Sequence, residues 1–367
     1  MRATGRLAMV LGLAALLAGP ALQPVHAGLF DSLKNKAQEE AKKKAIEVAK
    51  KKLAEMKKKK ASDPPKEAED KFMGEYAGTF APAGGSAADA TGTVAAYVDK
   101  AGTKTWDVVL TAEGAKSPVK LKGTDDGGKV ALAGGGWTGE IADGKLTAKG
   151  DKGAFELKYT VRKSPTLGAK PPSGAIVLLP FAEGKPTRLD EWTNKKWQLI
   201  SDGSALVKAG SSVTKRKFQD FKVHIEFRCP FEPNRGGQGR GNSGCYMYGK
   251  YEVQVLDSFG LKPGMGDCGS IYGVRITSKN ASLPPKQWQT YDITFRGPRV
   301  GADGKVTEWP KFIEVLHNGV KIHENVEVKK ITTAGMGGGH VGVGPIMIQD
   351  HGNPVRYRNI WLVEHKD

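Results

Sequence analysis

The chain reads as mainly β: an antiparallel two-sheet sandwich in the C-terminal half, a small β domain before it, and a basic helix near the N-terminus. Three observations predict this. Gly is abundant, 48 of 367 residues; it suits tight turns because it reaches φ > 0 without steric penalty, and it costs a helix interior about 1 kcal/mol per position relative to Ala. Apolar and polar side chains alternate strictly in stretches such as Phe221-Lys222-Val223-His224-Ile225-Glu226-Phe227-Arg228, the period of a strand with one buried face. No helical segments alternate with the strands, which excludes the βαβ architectures.

Taken in order, residues 1–27 read as a Sec-type signal peptide. Arg2 and Arg6 form the basic start, Leu7–Gly19 is an uncharged apolar run, and Val25-His26-Ala27 is a small-residue cleavage site. The run is shorter than the ~20 residues a membrane-spanning helix needs. The expected location is therefore secreted or periplasmic, in a bacterial setting. Residues 28–72 are a Lys-rich helix and linker. Leu29, Leu33, Ala37, Ala41, Ala45, Ala49, Leu53 and Met56 make a thin apolar stripe, and Asp63-Pro64-Pro65 stops it. Such a helix is either a solvated spacer or a weak contact for a membrane or polyanion.

Residues 73–163 carry short alternating runs separated by Asp126-Gly127, Gly134-Gly135-Gly136 and Asp143-Gly144. They predict a small antiparallel meander or barrel with no legible chemistry. A Pro-rich linker, 164–173, precedes the sandwich at 174–367. The net charge of +17 divides as +2, +5, +2 and +8 over residues 1–27, 28–72, 73–173 and 174–367. Much of it is thus a mild excess on folded surface, and no nucleic-acid module is present.

The polar faces of the sandwich strands are unusual. His224, Glu226 and Arg228 share one side of their strand, Glu252 and Gln254 one side of Tyr251–Asp257, and Gln349 and His351 one side of Pro345–His351. In the last strand Arg356 and Arg358 stand opposite Tyr357, Asn359 and Trp361. Tyr246, Tyr248 and Tyr272 lie nearby in sequence. Planar amides and carboxylates beside aromatic rings suit sugar hydroxyls and C–H faces; cross-strand ion pairs explain the same composition without a ligand.

Several ordered blocks carry a resemblance over about 174–365. They include Gly241-Asn242-Ser243-Gly244, Tyr251-Glu252-Val253-Gln254-Val255-Leu256-Asp257-Ser258, Cys268-Gly269-Ser270-Ile271-Tyr272-Gly273, Trp288-Gln289-Thr290-Tyr291-Asp292 and Gln349-Asp350-His351-Gly352-Asn353-Pro354-Val355. This half resembles the 3-keto-disaccharide hydrolase domain family, secreted proteins with a concanavalin-like jelly roll. The resemblance implies cleavage of 3-keto-glycosides: a base removes the acidified C–H beside the ketone, and the enolate expels the anomeric leaving group, with or without rehydration. On that reading Glu252, Asp257 and His351 are the acid/base candidates. Arg228, Asn242, Tyr246, Gln254, Tyr272, Gln349, Asn353 and Arg356 are the substrate-binding candidates. The alternatives are a two-carboxylate glycosidase, which Gln254 in the middle of its strand disfavours, and a non-catalytic carbohydrate-binding or adhesion module.

Three cysteines, Cys229, Cys245 and Cys268, allow one disulfide and one free thiol, with Cys229–Cys245 the preferred pair. The second cysteine usual in the family is replaced by Ser282. No His/Cys cluster has zinc spacing. Asp257 and Asp267 are the acids a loop Ca²⁺ would use, but no cofactor is expected. Gly335–Gly344 contains six Gly and reads as a loop beside the polar face.

Overall fold

In the computed structural model, residues 36–48, 50 and 69–365 are described. Residues 36–48 and 50 are helical, the described part of the Lys-rich segment. The signal peptide and the two ends of the Lys-rich stripe lie outside the described residues.

Eight strands close an antiparallel barrel in sequence order: β1 (Gly74–Pro82), β2 (Ala88–Val98), β3 (Lys104–Ala112), β4 (Val119–Asp126), β5 (Lys129–Gly134), β6 (Trp137–Ala142), β7 (Lys145–Gly150) and β8 (Gly153–Thr160). Alternate residues fill its interior, among them Tyr76, Val94, Trp106, Val108, Leu110, Leu121, Val130, Leu132, Ile141, Leu146, Phe155 and Leu157. Closure leaves no open sheet edge. Gly139 is required where β6 passes β7: a Cβ there would lie 2.0 Å from the Thr147 carbonyl oxygen.

The sandwich strands are β9 (Ile176–Leu179), β10 (Gln198–Leu199), β11 (Ala205–Leu206), β12 (Ser212–Val213), β13 (Asp220–Arg228), β14 (Ser243–Met247), β15 (Tyr251–Val255), β16 (Gln289–Arg296), β17 (Arg299–Val300), β18 (Val306–Glu308), β19 (Lys311–His317), β20 (Val320–Glu327), β21 (Met347–Ile348) and β22 (Arg356–His365). The larger sheet runs β10-β11-β22-β13-β16-β19-β20, with β9 also on β22; the smaller runs β12-β21-β14-β15. All their pairings are antiparallel. Phe221, Val223, Ile225 and Phe227 of β13 meet Cys245, Met247, Tyr251, Val253, Val255 and Ile348 of the smaller sheet in one core. The mainly-β expectation and the two-sheet sandwich therefore hold.

Three expectations are corrected here. First, the alternation of β22 is not continuous. Asn359 has φ 47, and the β13–β22 register slips between His224 and Glu226. This bulge shifts the phase: Tyr357 faces the core with Ile360 and Leu362, whereas Asn359 and Trp361 join Arg358 on the outer face. Second, that outer face is not open. Gly168 N donates to Glu226 Oε1 (2.6 Å), Thr166 Oγ1 donates to Asp292 Oδ2 (2.6 Å), and Ala169 O accepts from Asn359 Nδ2 (2.9 Å). The Pro-rich linker is thus a strap over the larger sheet, and His224 and Glu226 are wholly buried. Third, Cys229, Cys245 and Cys268 are all buried free thiols, so the Cys229–Cys245 bridge is absent. Cys245 instead points into the core, with its sulfur 4.0 Å from the Tyr357 hydroxyl.

Beneath the strap lies a closed charge network. His224 Nδ1 meets Asp292 Oδ1 at 2.7 Å, Arg358 Nε donates to Glu226 Oε2 at 2.7 Å, and Asn359 Nδ2 donates to Glu226 Oε1 at 2.8 Å. The imidazole stacks on Trp361, ring centres 5.0 Å apart. Burial alone would lower the His224 pKa, but the hydrogen bonds to Asp292 and Glu226 outweigh it and raise it. Burial would likewise raise Glu226, yet His224, Asn359, Arg358 and the Gly168 amide hold it low. Because the folded-state pKa of His224 is raised, its stabilisation is complete below about pH 6.5 and fades as pH rises through the folded value. His224→Gln should lower the melting temperature more at about pH 6 than at about pH 9; paired thermal melts check this, and a gap that widens with pH contradicts it.

Candidate functional site

The smaller sheet presents its outer face to a cleft. In β14 the inward residues are Cys245 and Met247, and in β15 Tyr251, Val253 and Val255. The period of two therefore sends Gly244, Tyr246, Glu252 and Gln254 outward. Cross-strand pairing places Tyr246 beside Glu252 and Gly244 beside Gln254; Gln349 follows β21 on the same side. Loops around residues 238–242, 264–272 and 332–340 rise around this face. The resulting cleft of about 120 Å³ is lined by Gln238, Asn242, Tyr246, Glu252, Gln254, Tyr272, Thr333, Ala334, Gln349 and His351.

Glu252 is the only carboxylate in that lining and is 3% exposed. Loss of solvent pushes its carboxyl up to about 8, with the Tyr246 hydroxyl pulling the other way. No Lys or Arg lines the cleft to offset the burial. The carboxyl has room only because residue 244 is Gly: a Cβ there would come within 2.3 Å of Glu252 Oε1. The Glu252 backbone is fixed as well, its N–H donating to Thr332 Oγ1 at 3.0 Å.

The walls are a network of amides and hydroxyls. Tyr246, whose hydroxyl is also driven up by burial, donates to Thr333 O (3.2 Å) and accepts from Gln349 Nε2 (3.1 Å). Gln254 Nε2 donates to Gln238 Oε1 (3.0 Å) and Gly266 O (3.2 Å). Asn242 Nδ2 donates to Gln238 O (2.7 Å) and Gln238 Oε1 (3.1 Å), while the buried Asn242 Oδ1 has no protein partner. A buried acceptor left open in a cleft wall is costly unless a ligand or water fills it. The Gly-rich stretch is tethered beside the cleft: Lys250 Nζ donates to the Met336 and Gly337 carbonyls, and the Tyr251 hydroxyl meets His340 Nδ1 at 2.7 Å.

Seven sequence-predicted residues are thus brought together: Glu252, His351, Asn242, Tyr246, Gln254, Tyr272 and Gln349. Four are not. Asp257 is buried in an ion pair with Arg240 (2.6 Å) and does not line the cleft. Arg228 ends a strand of the other sheet, its guanidinium 5.6 Å from the Trp288 ring centre. Asn353 supports a loop from outside, donating to Glu232 Oε2 (2.6 Å) and Gly239 O (2.8 Å). Arg356, on β22, faces Asp202 at 3.4 Å. Gln238, Thr333 and Ala334 were not foreseen, because they sit in irregular loops where periodicity is silent; the run of glycines around Gln238 and after Ala334 was the available signal. Among the described residues no three His, Cys, Asp or Glu side chains are grouped to hold a metal ion.

Comparison with known proteins places this geometry in context. A candidate glycosyl hydrolase from Parabacteroides distasonis of known structure is 36% identical (TM-score 0.47), covering 53% of this chain and 85% of that one. A second from the same organism is 19% identical (TM-score 0.37), covering 53% and 100%. No curated protein matches the chain. The 3-keto-alpha-glucoside-1,2-lyase-like domain matches residues 174–363, just over half of the chain, including every residue that lines the cleft. Through that sandwich the chain belongs to the 3-keto-alpha-glucoside-1,2-lyase-like domain family.

Proposed function

We propose that the cleft cleaves 3-keto-glycosides by β-elimination, with Glu252 as the proton-transfer group. The observation that carries this reading is a single carboxyl, Glu252, buried in the cleft wall among amides and hydroxyls, where loss of solvent pushes it up to about 8. A group that must both take and return a proton works best with a pKa close to the working pH. A two-carboxylate glycosidase needs a second acid across the bond, and Glu252 is alone among the lining residues. A ketone at C3 removes that need, since it acidifies the C2–H.

In this reading the ionised Glu252 takes the C2 proton. The C–H electron pair forms the C2–C3 double bond of an enolate, and the carbonyl oxygen takes up the charge. Collapse of the enolate re-forms the ketone, makes the C1–C2 double bond and breaks the C1–O bond. The leaving oxygen receives the proton from the Glu252 carboxyl. Water adding across the unsaturated product at C1 gives net hydrolysis. His351 and Tyr272, which line the cleft, serve in this reading as donors to the enolate oxygen, and the open Asn242 Oδ1 accepts a sugar hydroxyl. We read the protein as exported, on the N-terminal pattern of residues 1–27.

Incubating the purified protein with 3-keto-glucosides and their unoxidised parents tests the reading. Release of the leaving group from the keto-sugars alone supports it; release from neither refutes it, and release from both favours direct hydrolysis. Because the base must be ionised, kcat/KM should climb with pH and level off above about 8. Glu252→Gln should cut kcat by ~10²–10⁴. The same variant carries a stability signature. A carboxyl raised from 4.5 to about 8 on folding stabilises the fold fully below about pH 4.5 and loses that contribution as pH rises through 8. The melting temperature of Glu252→Gln relative to wild type should therefore increase from about pH 5 to about pH 8 and then level. A Gly244→Ala variant, whose methyl collides with the carboxyl, should lose activity while staying folded by circular dichroism.

A further inference from the structure

The barrel lies outside the region that matches the family, yet one wall of the cleft is anchored to it. That wall is the 238–242 loop, which supplies Gln238 and Asn242 to the lining. Between them Arg240 points away from the cleft and is 4% exposed. Its Nε donates to Asp257 Oδ2 at 2.6 Å, within the sandwich. Its other contacts come from the barrel: Nη2 donates to Ala96 O (3.3 Å), and the guanidinium lies 4.5 Å from the Tyr97 ring centre. The stretch leading into the loop is held by the same strand, Val98 N donating to Pro233 O at 2.8 Å. Phe231 and Phe259 pack into the barrel core, and a Cβ on Gly260 would touch Ala95 at 3.3 Å.

We infer that the barrel is a positioning element of the cleft: Tyr97, acting through Arg240, holds the Gln238–Asn242 wall in the geometry that receives the sugar. The physical reason is the loop's composition. Gly236, Gly237, Gly239 and Gly241 surround Gln238 and Arg240, and so many glycines give the backbone little stiffness of its own. The 3₁₀ turn Gly237–Gly239 buries no residue. Glu232 and Asn353 hold the loop backbone at Gly241 and Gly239, and the buried Arg240 adds a clamp on the side facing the barrel, its flat ion bonding Asp257 at its edge while its face rests on an aromatic ring. Asp257 alone leaves that face uncovered. Tyr97 is thus a positioning residue, remote from the reacting atoms, and it acts on binding rather than on proton transfer.

This inference rests on the proposed keto-glycoside site for its kinetic readout but not for its structural one. The test uses the full chain carrying Tyr97→Ala, with Tyr97→Phe as the conservative variant. In Tyr97→Ala, backbone hydrogen exchange across residues 237–242 should quicken about tenfold. KM for a 3-keto-glucoside should rise about fivefold to tenfold, while kcat and its pH profile stay as in wild type. Tyr97→Phe, which keeps the ring, should restore both. In an Asn242→Ala background, Tyr97→Ala should add little to KM, since the wall it positions has already lost its contact. Unchanged exchange in 237–242 overturns the inference, as does a fall in melting temperature with KM unmoved. If no variant and not the wild type turns over keto-glucosides, the proposed reaction fails and the exchange data alone decide the positioning role. Should Tyr97→Ala not fold, Arg240→Lys makes the same test, because it keeps a charge for Asp257 and loses the planar stack.

Discussion

Everything in the cleft depends on the exclusion of water from one carboxyl. Glu252 stands on the outer face of a four-stranded sheet, where a side chain would ordinarily be solvated and ionised. Two members of that sheet, β12 and β21, are two residues long, so the sheet itself offers little wall. Loops do the covering, and they are held by short polar contacts: Thr332 on the Glu252 backbone, Thr333 on Tyr246, and Gln238 on both Gln254 and Asn242. Gly244 leaves the space into which the carboxyl fits. The causal order runs from loop anchoring to desolvation, from desolvation to a pKa near 8, and from that pKa to a group able to take and return a proton at neutral pH.

The molecule also buries a second set of charges, and the contrast is informative. Beneath the linker strap, Glu226 is met by Arg358, Asn359, the Gly168 amide and His224, and stays ionised. Every lone pair that burial exposes to loss is answered there, the condition under which buried ions are tolerated. Glu252 has no comparable set of donors, and burial pushes its carboxyl up to about 8 instead. One network fixes the strap; the other leaves a buried carboxyl without a compensating cation at a cost in stability, the pattern on which the proposed role of Glu252 rests.

These two sites explain how far the sequence could be read. Alternation within β13 and β15 correctly separates core from outer positions, so Glu252, Gln254 and His224 were all legible as outward-facing. Alternation does not say which sheet a strand joins. Arg228 of β13 was therefore grouped with Glu252, although β13 belongs to the other sheet. The bulge at Asn359 was equally silent, because a single αL residue leaves composition unchanged while reversing the faces beyond it. Asp257 was misread for a related reason. It lies two residues after a strand, β15, that carries two cleft residues, but its carboxyl turns to Arg240, a contact seventeen residues away that no local pattern encodes. The cysteine pairing failed similarly: adjacency of strand ends is necessary for a disulfide, but it does not set the Cβ directions, and Cys245 points into the core.

The barrel was legible as a fold and mute as a function, since its strands carry no chemical constellation. Its contribution emerges only from what the sandwich lacks. A loop of four glycines around Gln238 and Arg240 has little stiffness of its own; Glu232, Asn353 and Gly266 hold it from within the sandwich, but among the described sandwich residues the Arg240 guanidinium bonds only Asp257. A buried guanidinium with one bond is a poor anchor, because the face of the ion stays uncompensated. The β2 strand supplies the missing carbonyl and ring. The cleft of the family domain is thus completed from outside that domain, and the chemistry of Glu252 and the architecture of the barrel meet at a single arginine side chain.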